Sequence, residues 1–250
     1  MDLHEAGIDE LFALARSSEN EDAYWDCVAE LHGRPDERTF KLAEVLCESF
    51  TAGERCLGAD VLGQLGAPEP PFAEASGVVL LRLLEDDEEP AVLASAAVGL
   101  GHLRDERAIG RLAELESHAS PAVRRAVVHG LMGHDDDRAV AALIALSADP
   151  DEDVRDWATF ALAVQIDRDD PELREALAAR LEDPNLDARA EAVRGLARRG
   201  DLRALEPALA AVSAADGQAP AMDEAIELLA ETTDDPRLRP HLDRIRSAGS

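Results

Sequence analysis

The chain contains side chains that bind metals or act as nucleophiles in other proteins, and their spacing decides whether they can do so here. His102 and His134 fall near the ends of adjacent predicted helices, beside Asp105 and Asp135. No histidine pair at i and i+4 accompanies them or His129, so no metal site is predicted. No serine lies in a GxSxG context, and no glycine-rich phosphate-binding loop is present. The sequence therefore predicts no enzyme active site, no metal and no cofactor.

The most regular polar feature is an arginine that recurs at the second place of a repeated ten-residue segment. One interpretation is an anion-binding row. The favoured one is structural, because each arginine follows a buried apolar position and can reach an aspartate or a backbone carbonyl of a neighbouring repeat. We call this set the arginine row: Arg55, Arg124, Arg155 and Arg189.

The repeated segments are predicted helices. They begin at Glu54, Val92, Val123, Val154 and Ala188 and align without gaps. Apolar or small residues fall mostly at the first, fourth, fifth, eighth and ninth places, which is the spacing of one buried helix face. Each segment is predicted to be the second helix of an antiparallel pair.

Shorter amphipathic stretches precede these segments and are the predicted first helices of the pairs. They cover residues 37–50, 77–85, 108–116, 139–147, 172–181 and 202–212. Most follow an aspartate, whose carboxylate can accept hydrogen bonds from the free amides of the first turn. The predicted N-caps are Asp36, Asp105, Asp137, Asp170 and Asp201.

The residues at the turns and helix starts indicate the type of repeat. The run DDRAVAALIAL at 136–146, followed by DPDEDVR at 149–155, resembles the short HEAT repeat first described in phycobilisome lyases. The resemblance implies an all-α fold, an α-solenoid in which antiparallel helix pairs form a right-handed superhelix. We expect a single solenoid over residues 1–250, with capping helices over 1–33, core repeats over 36–200, and a C-terminal capping repeat and tail over 201–250.

Proteins that resemble this repeat include scaffolds, bilin lyases, hydroxylases and DNA glycosylases. The hydroxylases hold two irons with repeated His-Glu pairs, whereas this chain has only His4-Glu5, outside the repeats. The glycosylases use tryptophan and acidic residues on a basic face; Trp157 beside Asp156 is instead interpreted as a packing residue. Nothing in the sequence marks a bilin pocket.

The net charge of the chain limits the classes of partner that can be expected. The chain has 53 acidic residues against 25 lysines and arginines, a net charge of −28, and Lys41 is its only lysine. Nucleic acid and anionic membranes are therefore not expected as partners. A cationic partner would explain the acidity, and so would a general adaptation of a cell with acidic proteins; both interpretations stay open.

Three unpaired cysteines, no signal peptide and no long apolar run lead us to expect a cytoplasmic monomer. The predicted function is a non-enzymatic scaffold that binds a protein or peptide on the concave face formed by the second helices. Alternatives are an enzyme of the bilin lyase or HEAT-type hydroxylase kind, and an acidic partner that neutralises a basic protein. The predicted contact residues occupy the sixth and seventh places of the repeats: Val98, Val128, His129, Thr159, Phe160 and Arg194. Val98, Val128 and Phe160 are expected to form an exposed apolar strip, unless neighbouring helices partly bury them.

Overall fold

The computed structural model describes residues 3–214 and 220–248, and this part of the chain is helical with no β-strand. Contacts divide the chain into two compact units, unit 1 over residues 1–131 and unit 2 over residues 132–250. Both units consist of successive helix pairs, which confirms the predicted all-α fold of the α-solenoid class. The single domain over residues 1–250 stays a prediction.

Unit 1 is built from four helix pairs. The even-numbered helices are the second helices, and α4 packs against both α2 and α6, which in turn packs against α8. A 3₁₀ turn at Glu106–Ala108 leads into α7, so this first helix starts less regularly than its sequence suggests. The helices are α1 (Ile8–Ser17), α2 (Glu21–His32), α3 (Glu37–Cys47), α4 (Ala52–Gln64), α5 (Ala73–Asp86), α6 (Pro90–Leu103), α7 (Ile109–Glu114) and α8 (Pro121–Leu131).

Unit 2 continues the pattern with second helices α10, α12 and α14 in contact along the chain. Its last described helix is α15, within the residues where a capping repeat and tail are predicted. A π-helical segment, Ala161–Gln165, extends α10. The α-helices are α9 (Asp137–Leu146), α10 (Glu152–Phe160), α11 (Pro171–Ala178), α12 (Leu186–Arg198), α13 (Leu205–Ala214), α14 (Pro220–Thr232) and α15 (Arg239–Ala248).

Aspartates cap the helix starts, with one shift from the predicted positions. Asp36 and Asp170 accept hydrogen bonds from the amides three residues later. Asp105 and Asp201 do the same for 3₁₀ turns, from the amides two residues later. The N-cap of α9 is Asp136, because Asp137 already lies inside the first helical turn.

The second helices approach each other so closely that glycine is required between them. A Cβ atom on Gly63 would lie 2.7 Å from the Cα atom of Gly99, across the α4–α6 contact. A Cβ atom on Gly101 would lie 2.6 Å from the carbonyl oxygen of His129, across the α6–α8 contact. Small residues at this contact let alanine, leucine and valine fill the core at close packing density.

Candidate functional site

Arg55, the first member of the arginine row, ties one helix pair to the next. Its Nε and Nη2 atoms donate to the two carboxylate oxygens of Asp87 at 2.6 and 3.1 Å. Its Nη1 atom donates to the carbonyl of Ser49 at 3.0 Å. The guanidinium therefore crosslinks the turn before α4 to the turn before α6 with a bidentate ion pair.

Arg155 repeats this arrangement in unit 2 and is more deeply buried. It donates to both oxygens of Asp183 at 2.7 and 3.1 Å and to the carbonyl of Asp149 at 2.8 Å. Burial alone would raise the pKa of Asp183, but hydrogen bonds from Arg155 and from the Asn185 amide outweigh it and hold that pKa below its usual range. The carboxylate is consequently charged and fully engaged within the fold.

The other two members of the row differ from each other. Arg124 donates to the carbonyls of His118 and Ala119 at 2.8 and 3.2 Å, the first being six residues earlier, as for Arg55 and Arg155. The guanidinium of Arg189 makes no hydrogen bond or ion pair with any residue that the structure describes, although the structural interpretation expected one. Its side chain instead lines a cavity beside α13.

The predicted contact residues of unit 1 are less exposed than expected. Val128 is fully buried, so its predicted exposure is wrong. Ala59 and Ala97, at the same place of their repeats, are also buried, because this position packs against neighbouring helices rather than facing solvent. Val98 and His129, one place later in the repeat, are half-buried. Burial lowers the pKa of His129, and the nearby positive charge of Arg125 adds to the effect.

The predicted contact residues of unit 2 also separate by position. Thr159 is buried, and its hydroxyl donates to the carbonyl of Arg155 at 2.7 Å, so a contact with a partner through this side chain is not available. Phe160, at the next position, is half-buried. Arg194 is half-buried and joins two helices, pairing with Glu191 at 3.0 Å and with Glu224 at 3.1 Å.

Trp157 is the residue that sequence reasoning misjudged most clearly. It was interpreted as a packing residue, but 40% of its surface is exposed. Its ring meets that of Phe160 edge to face, with centroids 5.8 Å apart. The i, i+3 spacing of the two aromatics on one helix was the available signal for this contact. We call Trp157 and Phe160 the aromatic pair.

Carboxylates accompany the aromatic pair. Burial raises the pKa of Asp156, and the negative charges of Asp187, Asp153 and Asp183 raise it further. Within the described parts of the chain, the Oδ1 atom of Asp156 is buried without a hydrogen-bond partner. Burial also raises the pKa of Glu191, with Arg194 opposing the shift. The local charge is therefore negative and only partly compensated.

Unit 1 contains a polar network that the sequence did not reveal. The hydroxyl of Tyr24 on α2 donates to the Asp60 carboxylate on α4 at 2.6 Å, and a ring nitrogen of His32 lies 2.9 Å from the Asp60 carbonyl. Burial raises the pKa of Asp60, although hydrogen bonds from Tyr24 and Ser95 oppose that effect. The network satisfies its own polar atoms and holds α2 against α4.

Two kinds of site are absent from the described residues. Across residues 3–214 and 220–248, no three histidine, cysteine, aspartate or glutamate side chains are arranged to hold a metal ion. Over the same residues, no helix combines the length and apolar character needed to cross a bilayer.

Stacked helix pairs whose second helices pack side by side define a helical repeat protein. The sequence profile described as HEAT repeats matches residues 78–163 and 142–230, which together span more than half of the chain. The chain belongs to the HEAT-repeat family, and the resemblance found in its sequence is confirmed. Among curated proteins, no sequence matches this chain.

Solved structures share the fold at low sequence identity. YibA of Escherichia coli superposes with a TM-score of 0.75 at 23% identity, over 98% of this chain and 94% of its own. The complex of CpcE and CpcF of phycocyanin lyase from Nostoc sp. PCC7120 gives 0.53 at 18% identity, over 97% and 95%. A designed armadillo repeat protein gives 0.51 at 16% identity, over 76% and 98%. At these identities the likeness extends to the fold alone.

Proposed function

We propose that the protein is a non-enzymatic scaffold that binds a protein or peptide partner on the second helices of unit 2. The observation that carries this proposal is the aromatic pair, which leaves parts of two large rings in solvent on α10. Tryptophan is among the residue types enriched at the energetic centres of interfaces. Arg194, the predicted contact residue on α12, occupies the same repeat position as Phe160.

The energy available from this surface is that of one anchor within a larger interface. Covering the exposed parts of Trp157 and Phe160 would contribute about 1 to 3 kcal/mol to binding, since burial of a whole large apolar side chain is worth about that amount. Their edge-to-face contact orients both rings before a partner arrives. The fold thus presents the rings with little conformational freedom left to lose.

The charge beside the aromatic pair favours a cationic segment of the partner. Burial raises the pKa of Asp156 and of Glu191; the charge of Asp187 raises the pKa of Asp156 further, and the charge of Asp156 raises that of Glu191. A lysine or arginine of the partner would relieve that repulsion and could stack on an aromatic ring. The most specific version of this proposal is that the protein binds and neutralises a basic protein.

Three free cysteines, Cys27, Cys47 and Cys56, support a role in a reducing compartment. We propose the cytoplasm as the compartment of this function.

Affinity capture followed by mass spectrometry, with matched variants, tests the proposal. The Phe160→Asp variant should keep its helical circular dichroism spectrum but lose the partner that wild type captures. Phe50→Asp is the control, because Phe50 is fully exposed in the turn between α3 and α4 of unit 1. Capture of the same partner by wild type and both variants would reject the aromatic pair as the anchor. A loss of several kcal/mol of stability in Phe160→Asp would place Phe160 in the core instead.

A further inference from the structure

Unit 2 contains a cavity that the proposed function does not use. It has a volume of about 730 Å³ and lies between α12 and α13, close to the start of α14. Its described walls are mostly apolar and include Ala190 and Val193 on α12, Ala210 and Ala211 on α13, and Met222 on α14. The volume and the apolar lining are those of a small-molecule site.

One guanidinium lines this cavity, and its state is unlike that of the other members of the arginine row. The guanidinium groups of Arg55 and Arg155 each donate hydrogen bonds to an aspartate and to a backbone carbonyl. Arg189 is half-buried, yet within the described ranges its guanidinium meets neither a carboxylate nor a carbonyl at hydrogen-bonding distance. Arg189 therefore offers planar donors to a ligand at the wall of an apolar space.

The acidic residues of the cavity do not compensate Arg189. Glu206 lines the cavity, but its carboxylate accepts hydrogen bonds from Arg237 at 2.8 and 3.2 Å. Glu182 also lines the cavity and is exposed to solvent. Arg189 is the only basic residue among the described lining residues.

An exposed leucine also lines the cavity. Leu186, the first residue of α12, lines the cavity and has 68% of its surface exposed. Leucine is among the least exposed residue types, so a cover for this side chain would stabilise the structure. Leu186 and Arg189 are three positions apart on α12 and therefore lie on one side of the helix.

We propose that this cavity binds an aliphatic carboxylate of medium chain length. The carboxylate accepts paired hydrogen bonds from Arg189, and the hydrocarbon chain lies against Ala190, Val193 and the alanines of α13, with Leu186 covering it. The net negative charge of the protein opposes an anion, but at physiological salt that repulsion is screened beyond about 8 Å. The contact with Arg189 therefore decides binding. The site shares no residue with the aromatic pair, so the test of this cavity is independent of the test of the proposed function.

Calorimetric titration with decanoate, and with decanol as its uncharged counterpart, tests the assignment on the full chain. We expect saturable binding of decanoate, at one per chain, and weaker binding of decanol. Arg189→Gln should weaken decanoate roughly tenfold or more and leave decanol unchanged, because only the charged contact is removed. Arg198→Gln, on the same helix but outside the cavity lining, should bind decanoate like wild type.

A second variant tests the cavity itself. Ala210→Trp fills the space from an exposed position of α13 and should abolish binding of both ligands. The proposal is overturned if decanoate does not bind up to about 1 mM, if decanoate and decanol bind wild type equally, or if Arg189→Gln binds decanoate as wild type does. Undiminished binding to Ala210→Trp would place the ligand elsewhere and would also overturn it.

Discussion

Arg155 and Asp183 show at the scale of single residues what the arginine row contributes. Both side chains are buried, and the charge of each is compensated by the other through two hydrogen bonds. The pair therefore stabilises the fold only when both residues are present. Removing one partner from a buried ion pair leaves the other charge without compensation, which destabilises more than loss of the pair as a whole. Arg55 and Arg155 are crosslinks between turns, and their effect on function runs through the fold.

We predict that Arg155→Ala lowers the free energy of unfolding by about 3 kcal/mol at pH 7 in urea denaturation. The depressed pKa of Asp183 gives a stabilisation that is present above the unfolded-state pKa of about 4 and is lost as the pH falls through the folded-state pKa. The penalty of the variant should therefore shrink below about pH 4. Arg189→Ala is the control and should change stability by less than about 0.5 kcal/mol, because Arg189 has no partner to lose in the described structure.

The sequence predicted single residues correctly where a pattern repeats. It failed where the outcome depends on which side of a helix its neighbours cover. The arginine position was visible because it recurs in four segments. The burial of Val128 and Thr159 was not, because a ten-residue pattern does not specify how closely the neighbouring helix approaches. The exposed Trp157 was misjudged for the same reason: only the packed structure shows which side of the helix remains uncovered.

At the scale of helices, glycine sets the distance between neighbours. Gly63 and Gly99 meet across the α4–α6 contact with no space for a side chain on Gly63. The sequence aligned Gly63 with Gly101 in the repeat but gave no reason for either, because the contact joins residues of different repeats. Close approach of second helices is what buries the sixth place of each repeat.

We predict that Gly63→Ala destabilises the protein by about 1 to 3 kcal/mol, since the new methyl group would overlap the backbone of α6. Gly53→Ala, in the first turn of the same helix, is the matched control. A Cβ atom there has no atom within 4 Å, so the better helix propensity of alanine should leave stability equal or slightly raised. Thermal unfolding followed by circular dichroism measures both. Equal melting temperatures for the two variants would contradict the packing account.

The π-helical segment after α10 is an element that no periodicity could predict. The carbonyls of Leu162, within the segment, and of Ile166, directly after it, accept hydrogen bonds from Arg199 at 3.0 and 2.7 Å. Burial lowers the pKa of the Arg199 guanidinium. Arg199, the residue that follows α12, thus binds the carbonyls at the end of the segment that extends α10.

At the scale of the whole molecule, the sequence predicted the fold class and the repeat family better than it predicted function. Helix spacing, aspartate caps and the arginine row depend on local patterns that recur in most repeats, so they can be recognised in a single sequence. A binding surface depends instead on where two repeats differ, as the aromatic pair and Arg189 do. The net charge of −28 restricts the partners without identifying one.

Hydrogen exchange of the protein with and without its captured partner tests the central claim most directly. If the second helices of unit 2 form the binding surface, amide exchange should slow in α10 and α12 on complex formation. Exchange in the first helices α9 and α11 should change much less. Protection confined to α9 and α11, or to unit 1, would contradict a partner site at Trp157 and Phe160.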